Sequence, residues 1–382
     1  MFEIYLDNSA TTKPYREVNQ AYLDMSEICY GNPSSLHSFG MRAEKEVKNA
    51  RGALAEVLGA QDKEIFFTSG GTESNNLAIL GFARANKRRG MHIITTAVEH
   101  PAVLEPMKQL EAEGFEVTYL GVDENGRIRI EDFDAALRAD TILAAIMYVN
   151  NEVGAIMPIE KLKPLMKKKS PNAVLFVDAV QAFGKLPIKP EKLGVDMLSI
   201  SGHKIHGPKG IGALYIKDKT LIRPILYGGH QQNNMRSGTE NTPAIAGLGV
   251  AAQLAYQDIK KQPKIRAMRD MLKAGILTQI DNVVINSDDA CLENILNISF
   301  LGVRSEILLH ALESNDIYVS AGSACASNAP KPSATLTAMG KSAKEIDSAL
   351  RFSFSEFNTV LEVQEVIKVL VKEVAEIRKY VR

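Results

Sequence analysis

One lysine, Lys204, lies in a glycine- and histidine-rich segment directly after an apolar run, in the sequence SGHKIHGPKGIG (residues 201–212). Glycines let the backbone approach a ligand closely, and open α/β sheets bind ligands beyond the ends of their strands. A lysine among other cationic or apolar groups loses its proton more easily and becomes a nucleophile for carbonyl compounds. An ordinary solvated loop lysine is the alternative interpretation of this segment alone.

An acidic residue, Asp178, lies at the end of another apolar run, in FVDAVQAFG (residues 176–184). A buried carboxylate at that place needs a partner. It either caps the following turn or pairs with the protonated ring nitrogen of a bound cofactor. Enzymes that use pyridoxal 5′-phosphate (PLP) require such an acid, because it keeps the pyridinium charged and able to accept electrons. Lys204 and Asp178 together therefore indicate a PLP site.

A third segment, FFTSGGTESNNLAI (residues 66–79), has the pattern of a strand, a glycine-rich turn and a helix that begins near Thr72. The free N–H groups and the positive dipole end of such a helix suit a phosphate. Other strand–glycine–helix junctions share this pattern, so this segment predicts a phosphate site only in combination with Lys204 and Asp178. We do not interpret His203 and His206 as metal ligands, because no carboxylate or third histidine is placed to join them.

Two single residues also have functional potential. His100, in VEHPAV (residues 98–103), follows a strand end, where its ring is either structural or near the cofactor as a stacking and proton-transfer group. Cys325, in SAGSACASNAP (residues 320–330), lies among small, turn-prone residues, which predicts an exposed, mobile loop. An exposed thiol is prone to oxidation, so we expect Cys325 to be used rather than to be an incidental surface thiol. We interpret Cys29 and Cys291 as structural.

The framework that must position these residues is an alternation of short apolar runs and helical patterns. Runs rich in Val, Ile and Leu, separated by helices, favour an α/β fold with a mostly parallel sheet covered on both faces. The predicted helices cover residues 73–89, 101–113, 130–139 and 158–169. The seven predicted strands are EIFFTS (64–69), HIITTAV (92–98), EVTYLGV (116–122), TILAAIMYVN (141–150), AVLFVDAV (173–180), DMLSIS (196–201) and GALYI (212–216).

The pattern changes near residue 260, within a long helix near 242–260. A helix over 263–280, short strands at NVVINS and ILNISFL, a helix over 305–315 and a terminal helix from about 360 predict a smaller α+β domain. We predict a large cofactor-binding domain over residues 15–258. Residues 1–14 and 259–382 would form the small domain, which carries the loop with Cys325.

Composition limits the classes of partner. The 382 residues include 45 basic and 45 acidic side chains, so a nucleic-acid-binding surface is not expected. The three cysteines are too sparse for a disulfide framework or a zinc site and fit a reducing compartment. We find no targeting pattern at the start of the sequence and no apolar run of membrane-spanning length, and we predict a cytoplasmic protein.

Ten segments, in this order along the chain, resemble motifs of the class V aminotransferase superfamily of fold-type I PLP-dependent transferases. Within it they are similar to cysteine desulfurases of the NifS/IscS type, and the resemblance covers essentially the whole chain. The segments are YLDNSATT, YGNPSSLHSFG, TSGGTESNN, EHPAV, VNNEVG, VDAVQAFG, SGHKIHGPKG, RSGTEN, SAGSACAS and LRFSFS.

The resemblance implies a role for each matching residue. Lys204 would form the internal aldimine and move the substrate α-proton, Asp178 would pair with the pyridine nitrogen, and His100 would stack on the ring and assist proton transfer. Gln181 would contact the phenolic oxygen, and Asn151 would lie near that oxygen and the substrate. The phosphate ligands would be Gly71, Thr72, Ser201 and His203, with Thr239 reaching the phosphate of the neighbouring subunit of a homodimer.

For the substrate, the resemblance implies that Arg351 clamps the carboxylate of L-cysteine. Cys325 would attack the substrate sulfur and leave L-alanine and a persulfide, which passes to an acceptor such as an iron–sulfur scaffold, or serves tRNA thiolation or thio-cofactor synthesis. SAGSAC resembles the NifS/IscS branch, whereas the R-x-G-x-x-C pattern of the other branch is absent. Ala321, FSFSEFNT (352–359) and NAPKPSATLTAMG depart from the usual pattern and bear on acceptor choice and loop motion. The alternatives are a selenocysteine lyase, an aminotransferase, which needs no thiol, and a non-catalytic sulfur-relay scaffold, which needs neither Lys204 nor Asp178.

Overall fold

The computed structural model describes residues 3–322 and 332–380. Its strands form a seven-stranded sheet, a three-stranded antiparallel sheet and a two-stranded parallel pair. The strands are β1 (Ile4–Tyr5), β2 (Ile65–Thr68), β3 (His92–Thr96), β4 (Glu116–Leu120), β5 (Thr141–Met147), β6 (Val174–Asp178), β7 (Met197–Ser201), β8 (Gly212–Ile216), β9 (Val283–Ile285), β10 (Ile295–Phe300), β11 (Ile317–Tyr318) and β12 (Ala349–Ser353).

Helices surround both sheets. They are α1 (Arg16–Glu27), α2 (Ser38–Leu58), α3 (Gly71–Asn76), α4 (Phe82–Asn86), α5 (Pro101–Ala112), α6 (Ile130–Ala136), α7 (Leu162–Lys169), α8 (Pro190–Leu193), α9 (Thr242–Asp258), α10 (Gln262–Gln279), α11 (Ser305–Glu313), α12 (Ala334–Ala338), α13 (Ala343–Asp347) and α14 (Val360–Arg378). A π-helical segment, Leu77–Gly81, joins α3 to α4 without a break. None of these helices, in the residues described, is both long and apolar enough to span a bilayer.

The large sheet has the strand order β2-β8-β7-β6-β5-β3-β4. All neighbouring pairs from β7 to β4 are parallel, and β8 runs antiparallel to both β2 and β7. Every residue of β5 and β7 is buried, as expected for central strands covered by helices on both faces. The predicted mostly parallel seven-stranded α/β sheet is confirmed.

A second core forms around the three-stranded sheet, with strand order β12-β10-β9. Apolar residues of α10, α11 and α14 pack on this sheet. The segment around β1 joins the same core, because Ile4 pairs with Ile317 of β11 and Leu6 is fully buried among these side chains. Residues close to both ends of the described chain therefore share one apolar cluster.

The elements that were not predicted include α1, α2 and β12. Helices α1 and α2 pack on α9, and their polar outer faces dilute the apolar pattern. Strand β12, ALRFS, is buried although it contains Arg351, and a charged residue in a short run hides the strand pattern.

A buried turn centred on Asn150 follows β5. The Asn150 side chain is fully buried, and its Oδ1 accepts hydrogen bonds from the backbone N–H groups of Glu152 (2.9 Å) and Val153 (3.0 Å). Its Nδ2 donates to Thr335 Oγ1 at 3.1 Å, which connects the large sheet to the start of α12. This turn fixes the backbone of the next residue, Asn151.

We expect Asn150→Ala to lower the free energy of unfolding by about 2–4 kcal/mol, because two buried N–H groups lose their acceptor. Urea unfolding measures the change. The matched control is Asn151→Ala, one residue further on, where no side-chain hydrogen bond is lost within the described chain and stability should change by less than about 1 kcal/mol. Equal losses for the two variants would contradict this assignment of the turn.

Candidate active site

The carboxyl ends of β5, β6 and β7 face a cavity of about 640 Å³. A volume of this size suits a small-molecule ligand. Of the predicted site residues, ten line the cavity: Gly71, Thr72, His100, Asn151, Asp178, Gln181, Ser201, His203, Lys204 and Arg351. Residues from the large sheet and from β12 of the small sheet therefore meet at one place.

Lys204 ends a short 3-10 turn (Gly202–Lys204) that follows β7 directly. Its Nζ donates to the backbone carbonyls of Ser9 at 2.6 Å and Ala10 at 2.8 Å. The same turn is tied to the N-terminal segment at the backbone, because Thr12 N donates to the His203 carbonyl at 2.9 Å. The amine is thus held at the cavity wall by neutral carbonyl groups.

Asp178 is the last residue of β6, and only 6% of its surface is exposed. Its Oδ1 accepts from Val180 N at 2.9 Å, and its Oδ2 accepts from Asn75 Nδ2 at 2.7 Å. These donors fix the direction of the carboxylate but are neutral. A buried carboxylate that faces a cavity in this way is suited to a cationic ligand group.

The start of α3 forms a close junction with the ends of β6 and β7. Gly70 has φ 153°, a conformation that disfavours other residues. A Cβ on Gly71 would lie 2.8 Å from Val180 Cγ2, so only glycine lets the helix approach the turn after β6. The N–H groups at the start of α3 and the Ser201 side chain lie at the wall of the same cavity. This arrangement can hold an anionic phosphate.

His100 has a local role that the sequence did not reveal. It is the N-cap of α5, and its Nδ1 accepts a hydrogen bond from Ala102 N at 3.0 Å. An accepting Nδ1 places the proton of the neutral ring on Nε2. The cap therefore selects one tautomer and fixes the orientation of a ring at the cavity wall.

Arg351, in β12, is only 2% exposed. Its Nη2 pairs with Asp7 Oδ1 at 2.7 Å, and its Nη1 donates to the Asn151 carbonyl at 2.8 Å. Its Nε is buried and has no hydrogen-bond partner among residues 3–322 and 332–380. The guanidinium is thus held firmly and keeps unused donor capacity at the cavity.

The two remaining predicted site residues are Thr239 and Cys325. Thr239 is exposed and does not line the cavity of its own chain. Cys325 lies outside the described residues. On the sides that are described, the Ser320 backbone pairs with that of Arg351, and Pro332, Ala334 and Thr335 line the cavity. Of the other two cysteines, Cys291 is buried, and its burial together with nearby Asp288 raises the pKa of the thiol to about 12.

Comparison with known proteins assigns the family. The family model for class-V aminotransferases matches residues 4–366. Cysteine desulfurase 2 of Trichormus variabilis is 44% identical over 97% of this chain and 92% of its own length. Cysteine desulfurase IscS of Methanosarcina thermophila is 44% identical over 98% of this chain and 93% of its own length.

The chain belongs to the class-V aminotransferase family.

Solved structures agree with this assignment. A NifS-like protein superposes with a TM-score of 0.93 at 37% identity, over 98% of this chain and 100% of that one. The structure of SspA in complex with cysteine superposes with a TM-score of 0.82 at 34% identity, over 93% of this chain and 100% of that one. The predicted family and its fold-type I architecture are confirmed.

Class-V aminotransferases are PLP-dependent, and the cavity of this member has groups that fit PLP. An aldehyde requires an amine (Lys204), a pyridinium requires a buried carboxylate (Asp178), and a phosphate requires N–H donors (start of α3). Four buried polar atoms of residues that line the cavity, Ser9 Oγ, Asn75 Oδ1, Glu99 Oε2 and Arg351 Nε, have no hydrogen-bond partner in the described chain. Buried polar atoms are rarely left unpaired, so these walls are consistent with a polar ligand.

His203 remains uncharged in this class-V aminotransferase. Burial, together with the positive charges of Lys204, Lys209 and Lys185, lowers the pKa of His203 to about 4. Its Nδ1 lies 3.2 Å from Thr11 Oγ1. At neutral pH the ring therefore offers hydrogen-bonding atoms to the cavity without adding a further positive charge.

Glu99 is a cavity residue that the sequence analysis missed, although it stands inside the EHPAV motif. Its Oε1 accepts hydrogen bonds from Thr96 Oγ1 and Met147 N, both at 2.9 Å. Burial, with a smaller contribution from the negative charge of Asp178, raises the pKa of Glu99 to about 8. The residue is therefore a neutral carboxylic acid at pH 7, and Asp178 keeps the negative charge of this pair.

This pKa predicts how Glu99 contributes to the pH dependence of stability. In the unfolded chain Glu99 loses its proton near its ordinary pKa, whereas the folded protein keeps it until about pH 8. The contribution of Glu99 to the free energy of unfolding therefore falls as pH rises toward 8. We expect the slope of the free energy of unfolding against pH to be less negative in Glu99→Gln than in wild type, measured by urea unfolding at pH 5–8. The exposed Glu105→Gln should leave the slope unchanged, and a slope equal to wild type in Glu99→Gln would refute the assignment.

Proposed function

We propose that this protein is a PLP-dependent cysteine desulfurase that converts L-cysteine to L-alanine and forms a persulfide on Cys325. The observation that supports it best is the meeting of an amine, a buried carboxylate and a buried guanidinium in one cavity, next to both described flanks of the segment with Cys325. The names of the relatives and the cysteine in the SspA complex point to the same reaction.

We assign the cofactor contacts from the cavity wall. Lys204 Nζ would hold PLP covalently, Asp178 would pair with its ring nitrogen, and the start of α3 with Ser201 and His203 would bind its phosphate. PLP, when bound, supplies an electron sink for the carbon atoms of the amino-acid substrate. His100 Nε2–H and Gln181 Nε2 are further donors at this wall. Lys204 Nζ, when released, would move the proton of the substrate α-carbon.

Arg351 would bind the substrate carboxylate. The guanidinium already contacts Asp7 and the Asn151 carbonyl, which orient it rigidly. A planar fork of donors binds a carboxylate with two parallel hydrogen bonds. Because the guanidinium is held before the substrate arrives, the substrate would bind in a single orientation, which fixes the positions of its carboxylate and its sulfur.

The proposed sulfur transfer conserves atoms and electrons and needs no external oxidant. The Cys325 thiolate would attack the substrate sulfur, so that an S–S bond forms while the substrate Cβ–S bond breaks. The electron pair of that bond remains on the substrate carbon, which takes up a proton to become the alanine methyl group. Cys325 would hold the transferred sulfur as a persulfide until an acceptor protein, such as an iron–sulfur scaffold, removes it.

We further propose a homodimer. Exposed large apolar residues concentrate on the α1–α2 region and its surroundings: Tyr22, Leu23, Ile28, Tyr30, Leu36, Phe39 and Met41. A concentration of exposed large apolar residues is typical of a protein–protein interface. Thr239, exposed and outside its own cavity, would contact the phosphate bound by the partner subunit.

We expect Lys204→Ala to lose the visible absorbance of bound PLP, because the amine that holds the cofactor is gone. The control is Lys209→Ala, an exposed lysine of the same segment, which should keep the band. Absorbance spectra of the purified proteins decide the point. A band of wild-type intensity in Lys204→Ala, retained through dialysis, would remove Lys204 from the proposed mechanism.

We expect Cys325→Ala to keep the PLP band and to release sulfide from cysteine at least about 100-fold more slowly, since the nucleophile is absent. Sulfide and alanine are assayed in parallel. Cys29→Ala, at a partly exposed cysteine, serves as the control and should react normally. Normal sulfide release by Cys325→Ala would exclude the proposed reaction and leave other PLP chemistry.

We expect Arg351→Lys to raise the KM for cysteine by about 10-fold or more, with a smaller change in kcat and no change in the PLP band. The ammonium keeps the charge but loses the fork that matches a carboxylate. Arg127→Lys changes a bidentate pair with Asp288 outside the cavity and should leave KM unchanged. Steady-state kinetics at several cysteine concentrations separate the two parameters.

A further inference from the structure

Lys185 is a second lysine next to the candidate active site, and it has none of the roles proposed above. The residue as a whole is partly exposed, but its ammonium group is enclosed by protein. It borders a small cavity of about 40 Å³ that also touches Lys204. Its Nζ donates to Gln181 Oε1 at 3.1 Å, and no carboxylate pairs with it in the described part of the chain.

The contact with Lys185 determines how the Gln181 amide is turned. An ammonium can only donate and a backbone carbonyl can only accept. Gln181 lies between Lys185 Nζ on one side and the Ser9 carbonyl on the other, which accepts from Gln181 Nε2 at 3.0 Å. Its oxygen must therefore face Lys185, and its NH₂ group must face Ser9 and the cavity. Nε2 keeps a second hydrogen for a ligand acceptor.

The same carbonyl connects the two lysines. The Ser9 carbonyl accepts from Lys204 Nζ as well as from Gln181 Nε2. A hydrogen-bonded chain therefore runs from Lys185 through Gln181 and Ser9 to Lys204. Burial, together with the positive charges of Lys204 and Arg351, lowers the pKa of Lys185 to about 7.

Other charged and titratable groups border these lysines but do not neutralise Lys185. Lys261 pairs with Glu356, and Arg351 pairs with Asp7. The charged and titratable groups near the two lysines come from three parts of the chain. His203, His206 and Lys209 follow β7, Lys261 lies between α9 and α10, and Arg351 and Glu356 belong to β12 and the segment after it.

We propose that Lys185 is a positioning residue of the cofactor site: it holds the Gln181 amide with its N–H toward the cavity. This inference rests on the proposed function, because it assumes that the cavity holds PLP.

The experiment uses the PLP-loaded protein. We expect Lys185→Met to release PLP at least about 3-fold faster, as the Gln181 amide loses one of its two anchors. Gln181→Ala should speed release similarly. The double variant should be no faster than Gln181→Ala alone, because residues that act through one contact are not additive. Lys192→Met, at an exposed lysine, should release PLP at the wild-type rate.

The outcomes separate this inference from the proposed function. A wild-type protein that takes up no PLP would refute the proposed function and this inference with it. Wild-type release of PLP from folded Lys185→Met would refute the inference alone. Additive losses in the double variant would refute positioning through Gln181. Thermal unfolding of each variant establishes that it is folded.

Discussion

A single buried negative charge, the Asp178 carboxylate at the end of β6, sets the conditions for the groups around it. Its two fixed donors are a backbone N–H and the Asn75 side chain, and neither neutralises it. Because Asn75 belongs to α3, the same contact aligns the start of that helix with the strand end. Its field also favours the protonated form of nearby Glu99. A charge placed in this way makes the cavity specific for a ligand with a positive group at one point.

Away from Asp178, the site contains several positively charged side chains. Lys204 and Lys185 lie close to Arg351, and one carboxylate, Asp7, pairs with this arginine. Two other buried acids line the cavity: Glu99 is neutral at pH 7, and burial raises the pKa of Glu152. The arrangement therefore combines the Asp178 carboxylate at one point with several positive groups elsewhere. Such a pattern favours a ligand that carries a cationic ring at one end and anionic groups elsewhere.

The sequence was most informative where chemistry and strand pattern coincide. The seven runs that became the large sheet are apolar and follow one another at regular intervals, so both the sheet and the strand-end positions of Asp178 and Ser201 could be predicted. The partners of those residues could not. Nothing local distinguishes Lys185 from a surface lysine or Glu99 from an exposed acid, because their burial depends on contacts with Gln181, Met147 and other distant residues. His100 shows the same limit, since its capping contact depends on where α5 begins.

Residues 4–12 connect the two cores of the molecule. Ile4 pairs with β11, Ser9 N donates to Ser353 Oγ, and the carbonyls of Ser9 and Ala10 receive the Lys204 ammonium. The strand partner of this segment and Ser353 lie more than three hundred residues later in the chain. These contacts can form only after those later residues have been synthesised. The amine of Lys204 therefore acquires its final surroundings only after nearly the whole chain has been synthesised, so a truncated product that contains every strand of the large sheet would still lack the ordered wall behind Lys204.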